Sequence, residues 1–197
     1  MRIATWNLNN RVGKTRFRPE AADAAIALSA DVLVFTEFFP QQHESAFRAK
    51  LATAGWDQQL MSVQPSEVAN RVLIVSKFAL APLPLDLPTF DQQLPANLLG
   101  VSLPTLGIAI VGVRIPAYSG ETAHLLLPAW DWLETTATAL KSSAAVLLGD
   151  LNVATDSKGS TGGGHFRRIL NSGWHRVPNC NEPTFFGQRG QDHPRIL

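Results

Sequence analysis

Val146-Leu147-Leu148-Gly149-Asp150-Leu151-Asn152 is an apolar run that ends in a glycine, a carboxylate and, two residues on, a side-chain amide. Such a run reads as a buried strand whose end delivers polar groups into a crevice. An aspartate there can hold a metal or activate a water, and an amide can hydrogen-bond a phosphoryl oxygen. Taken alone, Gly149-Asp150 reads equally well as a turn.

Two other segments end in the same way. Ile3-Ala4-Thr5-Trp6 leads into Asn7, and Val32-Leu33-Val34-Phe35-Thr36 leads into Glu37. Three strands that terminate in oxygen-bearing side chains suit Mg²⁺ or Mn²⁺, which prefer carboxylates, carbonyls and water to imidazole or thiolate. The convergence of Asn7, Glu37, Asp150 and Asn152 carries more weight than any one of them.

Between these strands the pattern alternates. Pro19 opens a helix expected to run through Ala30, and helical spacing over 41–54 places Phe47 and Leu51 four apart before Gly55. Strands are expected over 56–63 and 70–76. The proline-rich segment Leu80 to Pro95 reads as an edge strand or irregular excursion. Leu98 to Leu103 and Leu106 to Val113 read as a hairpin through Pro104-Thr105. Pro128 starts a helix to about Lys141 with Trp130, Leu133, Ala137 and Leu140 on its core side. Asp156 to Gly164 reads as a loop and His165 to Asn171 as a short amphipathic helix. Strands outnumber helices, and hairpins mix with helical crossovers, so an α+β (mixed α/β) sandwich in one domain over 1–197 is expected.

Composition narrows the function classes. The 197 residues are 45% hydrophobic and 17% charged, enough for a real core, and the formal net charge of +1 lacks the basic excess of many nucleic-acid binders. Cys180 is the only cysteine, which excludes an intramolecular disulfide framework and a cysteine-rich zinc site and suggests a reducing compartment. The N-terminus enters a strand pattern at once and no apolar run approaches the roughly 20 residues of a membrane span, so a cytoplasmic location without membrane attachment is expected. The five histidines form no His-Glu-x-x-His arrangement, and the glycine-rich Gly159 to Gly164 is followed by His165-Phe166 instead of Lys-Ser/Thr, so neither a zinc hydrolase nor a P-loop is indicated. Arg11, Lys14, Arg16 and Arg18 follow Asn7 closely; they read either as a phosphate-backbone contact or as a solvated basic loop.

Ile3 to Asn9, Asp31 to Glu37, Asn70 to Ser76 and Leu148 to Asn152, with Thr184-Phe185 late in the chain, together resemble the endonuclease/exonuclease/phosphatase superfamily of apurinic-site endonucleases, deoxyribonuclease I and inositol-polyphosphate phosphatases. The resemblance is ordered and runs nearly end to end. It implies a four-layered sandwich, two mixed β-sheets face to face with helices outside, and an active site at one end of the sheets. It also implies roles: Glu37 as main metal ligand supported by Asn7, Asp150 orienting or deprotonating the attacking water, and Asn152 contacting the phosphate.

Two departures stand out. Where relatives often carry a histidine or asparagine, this chain has Val113-Arg114-Ile115-Pro116-Ala117-Tyr118. Arg114 as a charged phosphate clamp and Tyr118 as a hydroxyl donor is one reading; a solvated arginine with a packing tyrosine is the other. In the superfamily a late strand leads on to a closing Ser-Asp-His. Here Arg195-Ile196-Leu197 resembles the start of that strand, and the expectation is a chain lacking the last strands, with impaired catalysis or with self-association through an incomplete sheet. Gln191-Asp192-His193 resembles the Asp-His pair but precedes the strand it should follow, and reads as a loop pair or, less simply, as a replacement for that dyad.

The resemblance implies a Mg²⁺- or Mn²⁺-dependent nuclease or phosphodiesterase acting on a phosphate ester, DNA among the candidates. The competing class is a non-catalytic scaffold that binds nucleic acid or protein.

Overall fold

Val32 to Phe38 is nearly unbroken in its apolarity because both faces of the strand it forms are covered. In the computed structural model, which describes residues 1–10, 12–13, 17–63, 69–88, 97–117, 120–153, 161–177, 185–186 and 192–193, Val32 and Val34 point to one core and Leu33 and Phe35 to another. The two-residue side-chain period of a strand makes this division automatic.

The elements run β1 (Ile3–Asn7), α1 (Ala21–Ala27), β2 (Val32–Phe38), α2 (Glu44–Thr53), β3 (Gln58–Met61), β4 (Arg71–Ser76), β5 (Ala81–Pro82), β6 (Asn97–Leu103), β7 (Ile108–Arg114), α3 (Leu127–Leu140), β8 (Ala144–Asp150), α4 (Thr161–Asn171), β9 (Phe185–Phe186) and β10 (Asp192–His193). They form two compact units. The first comprises Met1–Pro84, Asn97–Arg114 and Ala145–Gly149; the second comprises Leu85–Ala96, Ile115–Ala144 and Asp150–Leu197.

The first unit holds a sheet of order β1-β2-β4-β3 and a sheet of order β5-β6-β7-β8. β1 and β2 are parallel, while β2/β4, β3/β4, β5/β6 and β6/β7 are antiparallel. Between the sheets lie Val32, Val34, Val72 and Ile74 from one and Val101, Leu103, Ile110 and Leu148 from the other. Gly112 permits the close approach, since a Cβ there would lie 2.8 Å from Val72 Cγ1 and 3.0 Å from Val34 Cγ1. On the other side of the first sheet, Leu33, Phe35, Leu73 and Val75 pack with Ala21, Ala22 and Ala25 of α1 and Phe47 and Leu51 of α2. Each buried Leu, Phe or Val there contributes on the order of 1.5–3 kcal/mol, and each alanine methyl about 0.8 kcal/mol or less. The expected α+β sandwich of two sheets with flanking helices is the fold.

Boundaries differ from expectation for local reasons. α1 stops at Ala27, short of Ala30, because the Leu28 and Ser29 amides donate to Ala25 and Ile26 and Ser29 takes a φ of 51°. The hairpin turn occupies Pro104 to Gly107, with Gly107 at φ 63°, so β7 begins at Ile108 and not at Leu106. Among the described residues of the Leu80 to Pro95 segment, the ladder with β6 covers Ala81–Pro82, followed by the Leu83 amide donating to Gly100 O at 3.0 Å, and the prolines lack the donors that a longer ladder needs.

In the second unit α3 buries Trp130, Leu133 and Ala137, as its spacing predicts, with Leu140 half-buried. The expected loop over Gly162 to Gly164 is instead the first turn of α4, which starts at Thr161 and not at His165. Glycine costs about 1 kcal/mol in a helix relative to alanine. Packing overrides that here: a Cβ on Gly162 would lie 2.3 Å from Trp130 Cζ2, so only glycine admits the indole. Asp192–His193, expected as a loop pair, forms a short antiparallel ladder with Phe185–Phe186.

Glu134 of α3 ties α4 in place. Arg168 Nε and Nη2 donate to its two carboxylate oxygens at 2.8 and 2.9 Å, and His165 Nδ1 lies 2.9 Å from Oε2. The Arg168 hydrogen bond holds the Glu134 carboxyl below its ordinary value of 4.5, against partial desolvation and with help from His165. A depressed carboxylate contributes stability that is present above its unfolded value and is lost as pH falls through the folded one. Thermal melts of Glu134→Gln and the parent should therefore differ near pH 7, by a small amount for so exposed a pair, and converge as pH falls through the lowered Glu134 value. A gap that widens on acidification would contradict this assignment.

Candidate functional site

β1 and β2 run parallel, with Asn7 opposite Thr36, so Asn7 and Glu37 reach the same end of the first sheet. The Leu8 amide donates to Thr36 O at 2.9 Å and the Asn10 amide to Glu37 O at 3.3 Å. Asn7 Oδ1 accepts the Asn9 amide at 2.8 Å, which orients its amide oxygen.

Glu37 sits on a bulge. The pairing of β2 with β4 shifts register between Phe35 and Phe38, and Glu37 has a φ of 51°. A glutamate in this region carries strain of about 1–3 kcal/mol, and bulges beside sites re-aim a side chain. Its carboxylate Oε1 accepts Arg114 Nη2 at 3.4 Å, both side chains being largely buried at 17% and 18% exposure. Asn7, Glu37 and Arg114 thus lie in the first unit, and the structure brings the last two into contact.

Asp150 and Asn152 form a separate piece of geometry in the second unit. The Ile115 amide donates to Asp150 O at 2.9 Å, and Asn152 Nδ2 donates to Ile115 O at 2.8 Å. The Asn152 amide N–H donates to Asp150 Oδ1 at 3.2 Å, an Asx turn completed by a φ of 47° at Asn152. The carboxylate and the amide are therefore both fixed to backbone. Tyr118, Thr184 and Arg195 to Leu197 lie outside the described residues, as do Arg11, Lys14 and Arg16 of the basic cluster.

Two contacts had no signal in periodicity or motif. One is the Glu37–Arg114 pair, 77 residues apart in sequence. The other is Phe17 stacked on His43, ring centroids 3.6 Å apart at 16°, which joins the segment after β1 to the one after β2.

The donor chemistry of the first unit fits a hard divalent ion. Among the described residues no three His, Cys, Asp or Glu side chains are grouped to share one. Mg²⁺ does not need such a cage: it takes one or two carboxylates and fills its shell with water and phosphate oxygens. Glu37 would be the carboxylate and Asn7 the neutral oxygen of such a set. Beside Glu37, buried Thr36 Oγ1 and Arg114 Nε have no hydrogen-bond partner among the described residues.

The sequence pattern described as the Endonuclease/Exonuclease/phosphatase family matches residues 4–196. A comparison with curated proteins finds no match. Among solved structures, an AP endonuclease from Archaeoglobus fulgidus superposes with a TM-score of 0.72 at 20% identity, covering 100% of this chain and 85% of that one. A 3'-5' exonuclease from Neisseria meningitidis gives 0.66 at 22% identity, over 88% of this chain and 72% of that one. A Neisseria 3' phosphatase bound to product DNA hairpin gives 0.65 at 21%, over 88% and 71%. At such identities these likenesses establish the fold.

Proposed function

Because the chain belongs to the endonuclease/exonuclease/phosphatase family, we propose that it hydrolyses phosphate-ester bonds, in DNA or a small phosphodiester, with one Mg²⁺ or Mn²⁺. The observation that carries this reading is Glu37, a mostly buried carboxylate held at φ 51° on a bulge at the end of β2, beside the strand that ends in Asn7. Strain of that kind is retained where a side chain must be aimed.

Glu37 and Asn7 would hold the ion. When bound, the ion neutralises charge on the phosphoryl oxygens and so lowers the barrier to in-line attack. Asp150 accepts the proton of the attacking water, its carboxylate kept in place by the Asn152 amide N–H. Asn152 uses one side-chain N–H on Ile115 O, which turns the amide into a fixed donor for a phosphoryl oxygen. Arg114 and Tyr118 clamp the phosphate, Arg114 through its fork of N–H donors. Phe17 and His43 offer stacked rings to a base, a feature that favours a nucleic-acid substrate.

The test offers the purified chain a duplex with an abasic site, a duplex ending in a 3' phosphate, and bis(p-nitrophenyl) phosphate, each with Mg²⁺, with Mn²⁺ and with EDTA. Turnover is expected only with the divalent ions. Turnover that survives EDTA at an equal rate would remove the ion from the reaction. DNA binding with no turnover of any substrate would favour the scaffold reading.

A further inference from the structure

We propose that Arg114 occupies Glu37 as an internal counter-cation in the metal-free protein, so that the divalent ion must displace it and thereby releases it toward the phosphate. The inference rests on the reading of Glu37 as a metal ligand given above. It concerns what that ligand does before the ion arrives.

The geometry is that of a displaceable pair. Arg114 reaches Glu37 through one contact, Nη2 to Oε1, at 3.4 Å. Strong guanidinium–carboxylate pairs are bidentate at about 2.7–2.9 Å. Among the described residues Arg168 and Glu134 make such a pair, at 2.8 and 2.9 Å. Glu37 and Arg114 remain largely buried at 17% and 18% exposure, where an unpaired carboxylate would be costly and a nearby cation is welcome. The pair is therefore close enough to neutralise Glu37 and too loose to hold it against an ion of twice the charge.

Arg114 Nε is buried and has no partner among the described residues. An N–H donor in that position calls for an acceptor, and the Nε–Nη edge of arginine matches two oxygens of a phosphate. Arg114 thus has one donor on the metal ligand and another, buried and unpartnered among the described residues, that would meet a phosphate only once the side chain is released. Arg114 acts on the ion through Glu37, as a positioning residue, and contacts the phosphate only after release.

A competing cation must weaken the ion it competes with. Removing Arg114 should therefore tighten ion binding, the opposite of what a purely structural role predicts. Mn²⁺ binding is read by the electron paramagnetic resonance signal of free Mn²⁺, without substrate, on the full chain, Arg114→Met and Arg114→Lys. Arg114→Met is expected to bind Mn²⁺ about tenfold more tightly, within the roughly 5- to 150-fold span of coupled sites. Arg114→Lys, which keeps the charge, should stay near the parent. Thermal melts should show Mn²⁺ stabilising Arg114→Met more than the parent, and the parent more stable than Arg114→Met in EDTA. Should Arg114→Met fail to fold, Arg114→Gln replaces it.

Equal or weaker Mn²⁺ binding by the folded neutral variant overturns the counter-cation, while Mn²⁺ binding by the parent that is lost in Glu37→Gln keeps the metal reading intact. Absence of Mn²⁺ binding in every variant overturns both.

Discussion

Asp150→Asn is expected to lower kcat about 10²–10⁴-fold, the range a general base supplies, on whichever phosphate ester the chain turns over. The substitution is nearly isosteric. An asparagine oxygen at this position can still accept the Asn152 amide N–H, now 3.2 Å from Asp150 Oδ1, so fold and KM should change little. What is lost is the basicity needed to take a proton from water. Glu37→Gln, by contrast, removes charge from the proposed ion ligand, and its defect should appear first as a weakened dependence on the ion. Raising Mn²⁺ should then rescue Glu37→Gln in part and leave Asp150→Asn unrescued. Rates measured across a metal titration for both variants separate the two roles. Activity unaffected by either substitution would sink the metal mechanism as a whole.

How far the sequence carried these assignments depends on which interactions are local. β2 was legible because a strand covered on both faces must be apolar at every position, and Val32 to Phe35 are. Glu37 was legible as the residue where that run ends. Its bulge was not, because register is set by the pairing of β2 with β4, residues 32–38 against 71–76, and a single strand's pattern is silent about its partner. The same holds for Arg114. Its position at the end of an apolar strand suggested a phosphate clamp or a solvated side chain, and its contact with Glu37 across 77 residues suits neither alone. The start of α4 failed for a different reason. Local propensity argues against a helix through Gly162, Gly163 and Gly164, and a tertiary contact with Trp130 outweighs it.

Gly149→Ala should be the most destabilising single substitution proposed for this chain, by about 4 kcal/mol, from positive-φ strain and overpacking of about 1–3 kcal/mol each. For a chain of this size that is a fall of roughly 8–16 °C in the melting temperature. Two terms act together. Gly149 has a φ of 139°, and an added Cβ would fall 1.9 Å from Val113 O and 2.9 Å from Val113 C and N. Backbone of the neighbouring strand cannot swing aside as a side-chain tip can. Gly55→Ala is the control, since Gly55 shares the positive φ, 103°, with nothing within 4 Å of the added carbon. It should cost only the conformational part, about 1–3 kcal/mol. Equal losses at the two glycines, measured by denaturant unfolding, would mean that conformation alone matters and that Val113 does not press on Gly149. If the difference appears, the glycine in Leu148-Gly149-Asp150 is not there to make a turn. It is there because β7 and β8 approach too closely for any side chain, at the residue immediately before the carboxylate proposed to activate water.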